Sequence, residues 1–235
     1  MNVQNDVAQQ AEFAAIPDRI EMSENLYFPT QIFSFQLPSD YLDDANAMLL
    51  DAISAERAKD AKGIQRSNFR GLGGWHSHNH LHNEAPYQPL VQLIGSACCF
   101  ISERNGYHKG ATLEIGTMWS IVNPPGSSNR AHIHPGSLWS GVYYVQTPED
   151  CGDIEFIDPR TENLVRPARH QPNKKRPRTC WTKVNFTPTA GKMLIFPSWL
   201  YHGVSPNLTT QKGSAGERVI ISFNLNQIKT KSHAS

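Results

Sequence analysis

The chain has little cysteine: four residues in 235, at positions 98, 99, 151 and 180. They make no Cys-x-x-Cys pair and no regular framework, and the adjacent Cys98 and Cys99 are poorly placed to bond to each other. That usage excludes a disulfide-stapled scaffold and predicts a reducing, cytoplasmic setting. Charge of one sign is also lacking. Lys and Arg number 22 and Asp and Glu 21, for a net charge of +1, so the molecule as a whole is not built to bind polyanions, and nucleic acid is not expected as a partner. No stretch approaches the roughly 20 apolar residues of a membrane-crossing helix. Residues 1–19 have no basic segment followed by an apolar run, so no secretory signal is expected. Internal repeats and coiled-coil heptads are absent as well.

What is present reads as one large domain, since this length is enough to close a core around a buried site. We expect a flexible segment over 1–20, a single domain over 21–228 and a tail over 229–235. FPTQIFSFQL (28–37) alternates like a short strand. Leu42, Ala45, Leu49, Ala52 and Ile53 recur at helical spacing up to about Lys59, with Ser39 and Asp40 as candidate caps and Gly63 beyond the end. A second helix is predicted from about Pro89, carrying a stripe of Leu90, Leu93, Ile94, Ala97, Cys98 and Ile101 and closing near Gly106. From residue 111 the pattern changes to strands: TLEIGTMWSIV, LWSGVYYVQ, GDIEFID, CWTKVNFTP, KMLIFPS and RVIISFNLN. Two helices and then a run of strands predict a double-sheet β structure with helices packed outside it.

Two segments stand out by charge or histidine content. Residues 158–180 are strongly basic, a solvated loop or a lid that attracts an anionic group. GGWHSHNHLH (73–82) holds His76, His78, His80 and His82 at every second residue. Its flanks, GGW and NEAP, are loop signals, so we expect a polar loop with incidental metal affinity, near the mouth of the site.

A different set carries the chemistry. AHIHP places His132 and His134 just ahead of the strand SGVYYVQ. FPSWLYHGVSPN places His202 after a later strand, and GERVIISFNLN places Arg218 at the head of the last. In a strand-like H-x-H both imidazoles can face one cavity.

These pieces resemble the iron(II)- and 2-oxoglutarate-dependent oxygenases, and within them a branch marked by H-x-H-P-x-S-x-x-S-G-x-Y-Y. The matching residues are His132, His134, Pro135, Ser137, Ser140, Gly141, Tyr143 and Tyr144. GDIEFIDPR, GKMLIFPSWLYHGVSPN and GERVIISFN resemble the branch's later motifs, in the same order. The resemblance covers about residues 111–226. It implies a double-stranded β-helix, or jelly roll, with Fe(II), 2-oxoglutarate and O2 as cofactor and cosubstrates. The reaction it implies is hydroxylation of a small molecule or an amino-acid side chain, with release of succinate and CO2.

Within that resemblance, His132, His134 and His202 are the expected iron ligands. Arg218 is expected to hold the far carboxylate of 2-oxoglutarate, as a guanidinium can with two hydrogen bonds. Ser140, Tyr144 and Ser222 are expected to line the cosubstrate pocket, and Arg160 and Trp139 to touch substrate. The sequence departs from most of the superfamily in one respect. The usual triad has a carboxylate two residues after the first histidine, and here that residue is His134. The carboxylate could instead come from Asp153, Glu155 or Asp158, with His134 hydrogen-bonding nearby. Two other readings stay open: a cupin-like three-histidine metalloenzyme that uses no 2-oxoglutarate, and a non-catalytic barrel that binds a metal or ligand. The resemblance leaves room for a homodimer.

Overall fold

The alternating segments pair into two antiparallel sheets. In this computed structural model residue 23 and residues 25–63, 74–160, 168–172 and 174–229 are described. The chain divides into two compact units, Met1–Thr30 and Gln31–Ser235, and the architecture below is that of the second.

In chain order the elements are β1 (Phe33–Gln36), α1 (Ser39–Lys59), β2 (Trp75–His76), α2 (Gln88–Arg104), β3 (Ala111–Asn123), β4 (Asn129–His132) and β5 (Trp139–Gln146). They continue with β6 (Ile154–Ile157), β7 (Lys183–Phe186), β8 (Lys192–Pro197), β9 (His202–Val204) and β10 (Arg218–Lys229). The larger sheet runs β1-β8-β5-β10-β3-β2 and the smaller runs β4-β9-β6-β7. This is the jelly roll that the strand pattern and the resemblance predict. No helix of the described residues is long and apolar enough to cross a membrane.

Strand parity sets what each face of the larger sheet does, because successive side chains point to opposite faces. On β10, Val219, Ile221, Phe223 and Leu225 join a core that includes Leu90, Ile94 and Ile101 of α2. Each such buried side chain contributes about 1.5–3 kcal/mol by leaving water. The alternate residues of β10, Arg218, Ile220, Ser222 and Asn224, line a cavity on the other face. On β5 the same parity sends Trp139, Tyr143 and Val145 to the helix-side core and Ser140, Val142 and Tyr144 to the cavity. The predicted stripe on α2 is buried at Leu90, Ile94, Ala97, Cys98 and Ile101.

Glycine is required where the sheet is tightest. A Cβ on Gly141 would overlap the ring of Phe223 on the neighbouring strand, so β5 and β10 approach there only because residue 141 has no side chain.

Candidate metal and cosubstrate site

His132 ends β4 and stands directly opposite His202, the first residue of β9. Their ring centroids are 4.4 Å apart. His134 lies past the end of β4, not on it. The chain turns there, and the His134 backbone N–H donates to Ser198 O at 2.9 Å. This turn, not strand alternation, brings its ring to 5.1 Å from each of the other two. The ligand atoms of the three histidines lie within 4.8 Å of one another.

The ring tautomers follow from the hydrogen bonds. His132 Nδ1 is 2.6 Å from Arg130 O, and His202 Nδ1 is 2.9 Å from Leu200 O. A carbonyl only accepts, so each Nδ1 carries a hydrogen and each Nε2 is free to ligate. Burial, helped by the neighbouring histidines and opposed by the bond to Leu200 O, holds the His202 imidazole near a pKa of about 3. Burial and His132 hold His134 near about 4. At neutral pH both rings are uncharged, the form a metal requires. Trp119 stacks on His134 with centroids 5.8 Å apart, and His76 stacks on Trp119 at 5.7 Å.

The cavity around this cluster has a volume of about 310 Å3. At its other end lies Arg218, only 1 % exposed. Its Nη1 donates to the carbonyls of Cys151, Gly152 and Ser205. Gly152 reaches that position with φ +89°, and a Cβ there would overlap the carbonyls of Ser205 and Pro206. Arg218 Nε and Nη2 are buried without a hydrogen-bond partner among the described residues. A buried guanidinium with idle donors is costly to leave so, and burial lowers its pKa. A carboxylate placed against those two donors would satisfy them in the paired geometry guanidinium prefers. Tyr144 lines the same cavity; burial raises its pKa against an opposing pull from Arg218, so it stays a neutral phenol.

Other expected residues fall differently. Ser140 and Ser222 line the cavity. Trp139 does not: its indole faces the helix-side core, where Nε1 donates to Tyr107 Oη at 3.0 Å. Its parity, shared with Tyr143, rules out the expected substrate contact. Arg160 also stands away from the cavity lining, exposed and bonded through Nε and Nη2 to the Asp158 carboxylate at 2.9 and 3.0 Å. Glu155 is tied to Lys183 at 2.8 Å, and Asp153 lines a separate surface pocket beside Pro148 and Ser205. None of the three candidate carboxylates lines the cavity. Part of the basic loop, residues 161–167 and 173, lies outside the described residues.

The 76–82 histidines separate. His76 is on β2, buried, and lines the cavity beside Asn79, so the loop reading of GGWH is corrected at Trp75 and His76. His78 sits with Glu56 and Glu84 in a second group of metal-capable side chains. Its Nδ1 accepts from the His80 backbone N–H at 3.1 Å, and its Nε2 is 2.8 Å from Glu84. Both ring nitrogens are engaged, and the Nε2 hydrogen lies where a metal would be. From sequence, no role falls to Thr117, Ser198 or Asn224. Thr117 and Asn224 share parity with the cavity-facing residues of their strands, and that signal could have found them.

Residues 117–224 match the family described as "Putative 2OG-Fe(II) oxygenase". The match spans a little under half of the chain and takes in all three histidines and Arg218. No curated protein matches the chain. Among solved structures, a prolyl-4-hydroxylase from Pseudomonas putida superposes with a TM-score of 0.54 at 14 % identity, covering 84 % of this chain and 92 % of its own. AviO1 from Streptomyces viridochromogenes Tue57 gives 0.55 at 14 % identity, covering 84 % and 90 %. The epimerase SnoN, solved with Fe3+, alpha ketoglutarate and nogalamycin RO, gives 0.56 at 11 % identity, covering 85 % and 82 %. At these identities the likeness is one of fold.

The donor set fits the reagents of a 2OG-Fe(II) oxygenase. Three neutral imidazoles suit Fe(II), and idle guanidinium donors at the far end of the cavity suit the keto acid's second carboxylate. Bound together, Fe(II), 2-oxoglutarate and O2 supply an oxidation of substrate coupled to conversion of the keto acid to succinate and CO2.

Proposed function

We propose that this oxygenase is a hydroxylase whose iron is held by His132, His134 and His202 and whose 2-oxoglutarate is anchored by Arg218. Ser140, Tyr144 and Ser222 border the cosubstrate between them. The observation that carries the reading is the pair of idle donors on Arg218, buried in the same cavity as the histidine cluster. A three-histidine metalloenzyme without a keto acid leaves that cost unexplained. In this reading the protein's own share is positional. The His132 and His202 imidazoles are oriented by backbone carbonyls, Arg218 fixes the far end of the keto acid, and Phe196, Val142 and Ile220 keep water from the space between.

The substrate is an amino-acid side chain, or a group of that size, presented from outside. About 310 Å3 is at the lower end of the 300–1,000 Å3 common for ligand pockets, and the keto acid takes a share of it. Around the metal-bearing end of the smaller sheet, Leu138, Trp199 and Tyr201 are 41 %, 52 % and 50 % exposed. The basic loop leaves β6 there too, since Ile157 N donates to Tyr201 O. Such a rim suits a substrate larger than the cavity. The test is anaerobic addition of Fe(II) and 2-oxoglutarate, followed by air. The reading expects a weak visible band and then succinate. Neither appearing would refute it.

A further inference from the structure

The segment GDIEFIDPR opens with a glycine, Gly152, whose turn holds Arg218. That turn, just ahead of β6, is tied on both sides to the segment that follows β9. Leu208 N donates to Asp150 O at 2.8 Å, and Ser205 N donates to Asp153 O at 2.9 Å. Between those two bonds the carbonyls of Cys151 and Gly152 turn to Arg218 and accept from Nη1, the second at 3.3 Å. Ser205 O, from the other segment, accepts from the same nitrogen at 3.4 Å. Nη1 carries two hydrogens, so three carbonyls leave it none to give a ligand.

The turn takes this course only with glycine. Gly152 sits at φ +89°, and a Cβ there would overlap the carbonyl oxygens of Ser205 and Pro206. A side chain at 152 must push the two segments apart, and Ser205 O is itself one of the three acceptors. Asp150, at φ +56°, is the other left-handed residue of the turn, in a conformation that aspartate tolerates.

A guanidinium is flat and rigid, so holding one nitrogen from outside sets the direction of the others. With Nη1 taken, the edge left over is Nε and Nη2. Their hydrogens run parallel and match the two oxygens of one carboxylate. Both nitrogens lack an acceptor among the described residues. Had the carbonyls met Nη2 instead, no paired edge would remain.

We propose that Gly152 is a positioning residue for 2-oxoglutarate: the carbonyls of its turn orient Arg218 so that the Nε–Nη2 edge meets the far carboxylate. The proposal rests on the assignment of Arg218 to the keto acid above. It has two specific consequences. The turn acts on the far carboxylate and not on the end at the metal. A lysine in place of Arg218 would spend its three hydrogens on the same three carbonyls, with none for the cosubstrate.

The test compares 2-oxoglutarate with 2-oxopentanoate, which has a methyl group where 2-oxoglutarate has its far carboxylate. Binding of each to Co(II)-loaded protein is measured by anaerobic calorimetry. In Gly152→Ala, 2-oxoglutarate is expected to bind about 10-fold or more weakly, as after loss of one charge-assisted hydrogen bond. Co(II) and 2-oxopentanoate are expected to bind within twofold of native. A merely structural role would lower both keto acids together and leave the preference between them unchanged. Arg218→Lys is expected to prefer 2-oxoglutarate no more than Arg218→Ala does. A folded Gly152→Ala with the native preference overturns the proposal. If that variant does not fold, the native preference in Arg218→Lys overturns it. Arg218→Ala separates the two claims. If it keeps the native preference, the keto-acid reading itself fails. If it loses the preference while Gly152→Ala keeps it, only the positioning role fails.

Discussion

His132 and His202 face each other across β4 and β9, with ring centroids 4.4 Å apart and each Nδ1 bonded to a carbonyl two residues earlier in its own chain segment. Both Nε2 atoms are thereby committed before any ion arrives. His202→Ala should abolish stoichiometric Fe(II) binding while leaving a folded protein, since it removes a ring but none of the backbone pairing of β9 with β4 and β6. Anaerobic equilibrium dialysis measures this, and iron retained at one equivalent would contradict it.

The same burial makes the metal-free protein acid-sensitive. His134 and His202 stay neutral down to about pH 4 and about pH 3, whereas in the unfolded chain both protonate near 6.5. Between those values the unfolded state binds more protons, so stability falls as the pH drops. The slope reaches up to about 1.4 kcal/mol per pH unit for each ring and flattens below about pH 3. Urea denaturation of metal-free protein between pH 7 and 4 measures it, and a His202→Gln variant should give a shallower profile. Equal slopes would remove His202 from the account.

The contact between β5 and β10 should be intolerant of any side chain at residue 141. Gly141→Ala forces a methyl into the Phe223 ring and should cost about 1–3 kcal/mol, as overpacking does. Phe223→Ala empties a fully buried site and should cost about 3–5 kcal/mol. Because the two residues share one contact, the double variant should lose less than the sum of the two.

The histidine-rich stretch should contribute nothing to iron content. His78 already uses both nitrogens, one toward His80 and one toward Glu84. A variant lacking His78, His80 and His82 should bind Fe(II) with native stoichiometry in the same dialysis. A drop of a full equivalent would show that the stretch holds metal after all.

Much of this was legible from residue order. The α2 stripe, the strands from residue 111 and the order of H-x-H, His202 and Arg218 lead to the jelly roll and the clustered histidines. Trp139 was misassigned although its parity with Tyr143 was readable: both face the helix-side core. Arg160 lies outside the cavity lining with its guanidinium paired to the adjacent Asp158 carboxylate, and sequence does not rank such a local pair against a distant ligand. His134 reaches the cluster by a turn pinned to Ser198, a long-range backbone bond that spacing does not encode.

In the proposed function Arg218 anchors the keto acid through the two donors that the protein leaves idle. Binding of 2-oxoglutarate to anaerobic Fe(II)-loaded protein, by calorimetry, tests it in native protein and in Arg218→Ala. Two charge-assisted hydrogen bonds at about 1.5–3 kcal/mol each predict a loss of about 100-fold or more in affinity, with Fe(II) binding retained. Affinity within twofold of native would contradict the account.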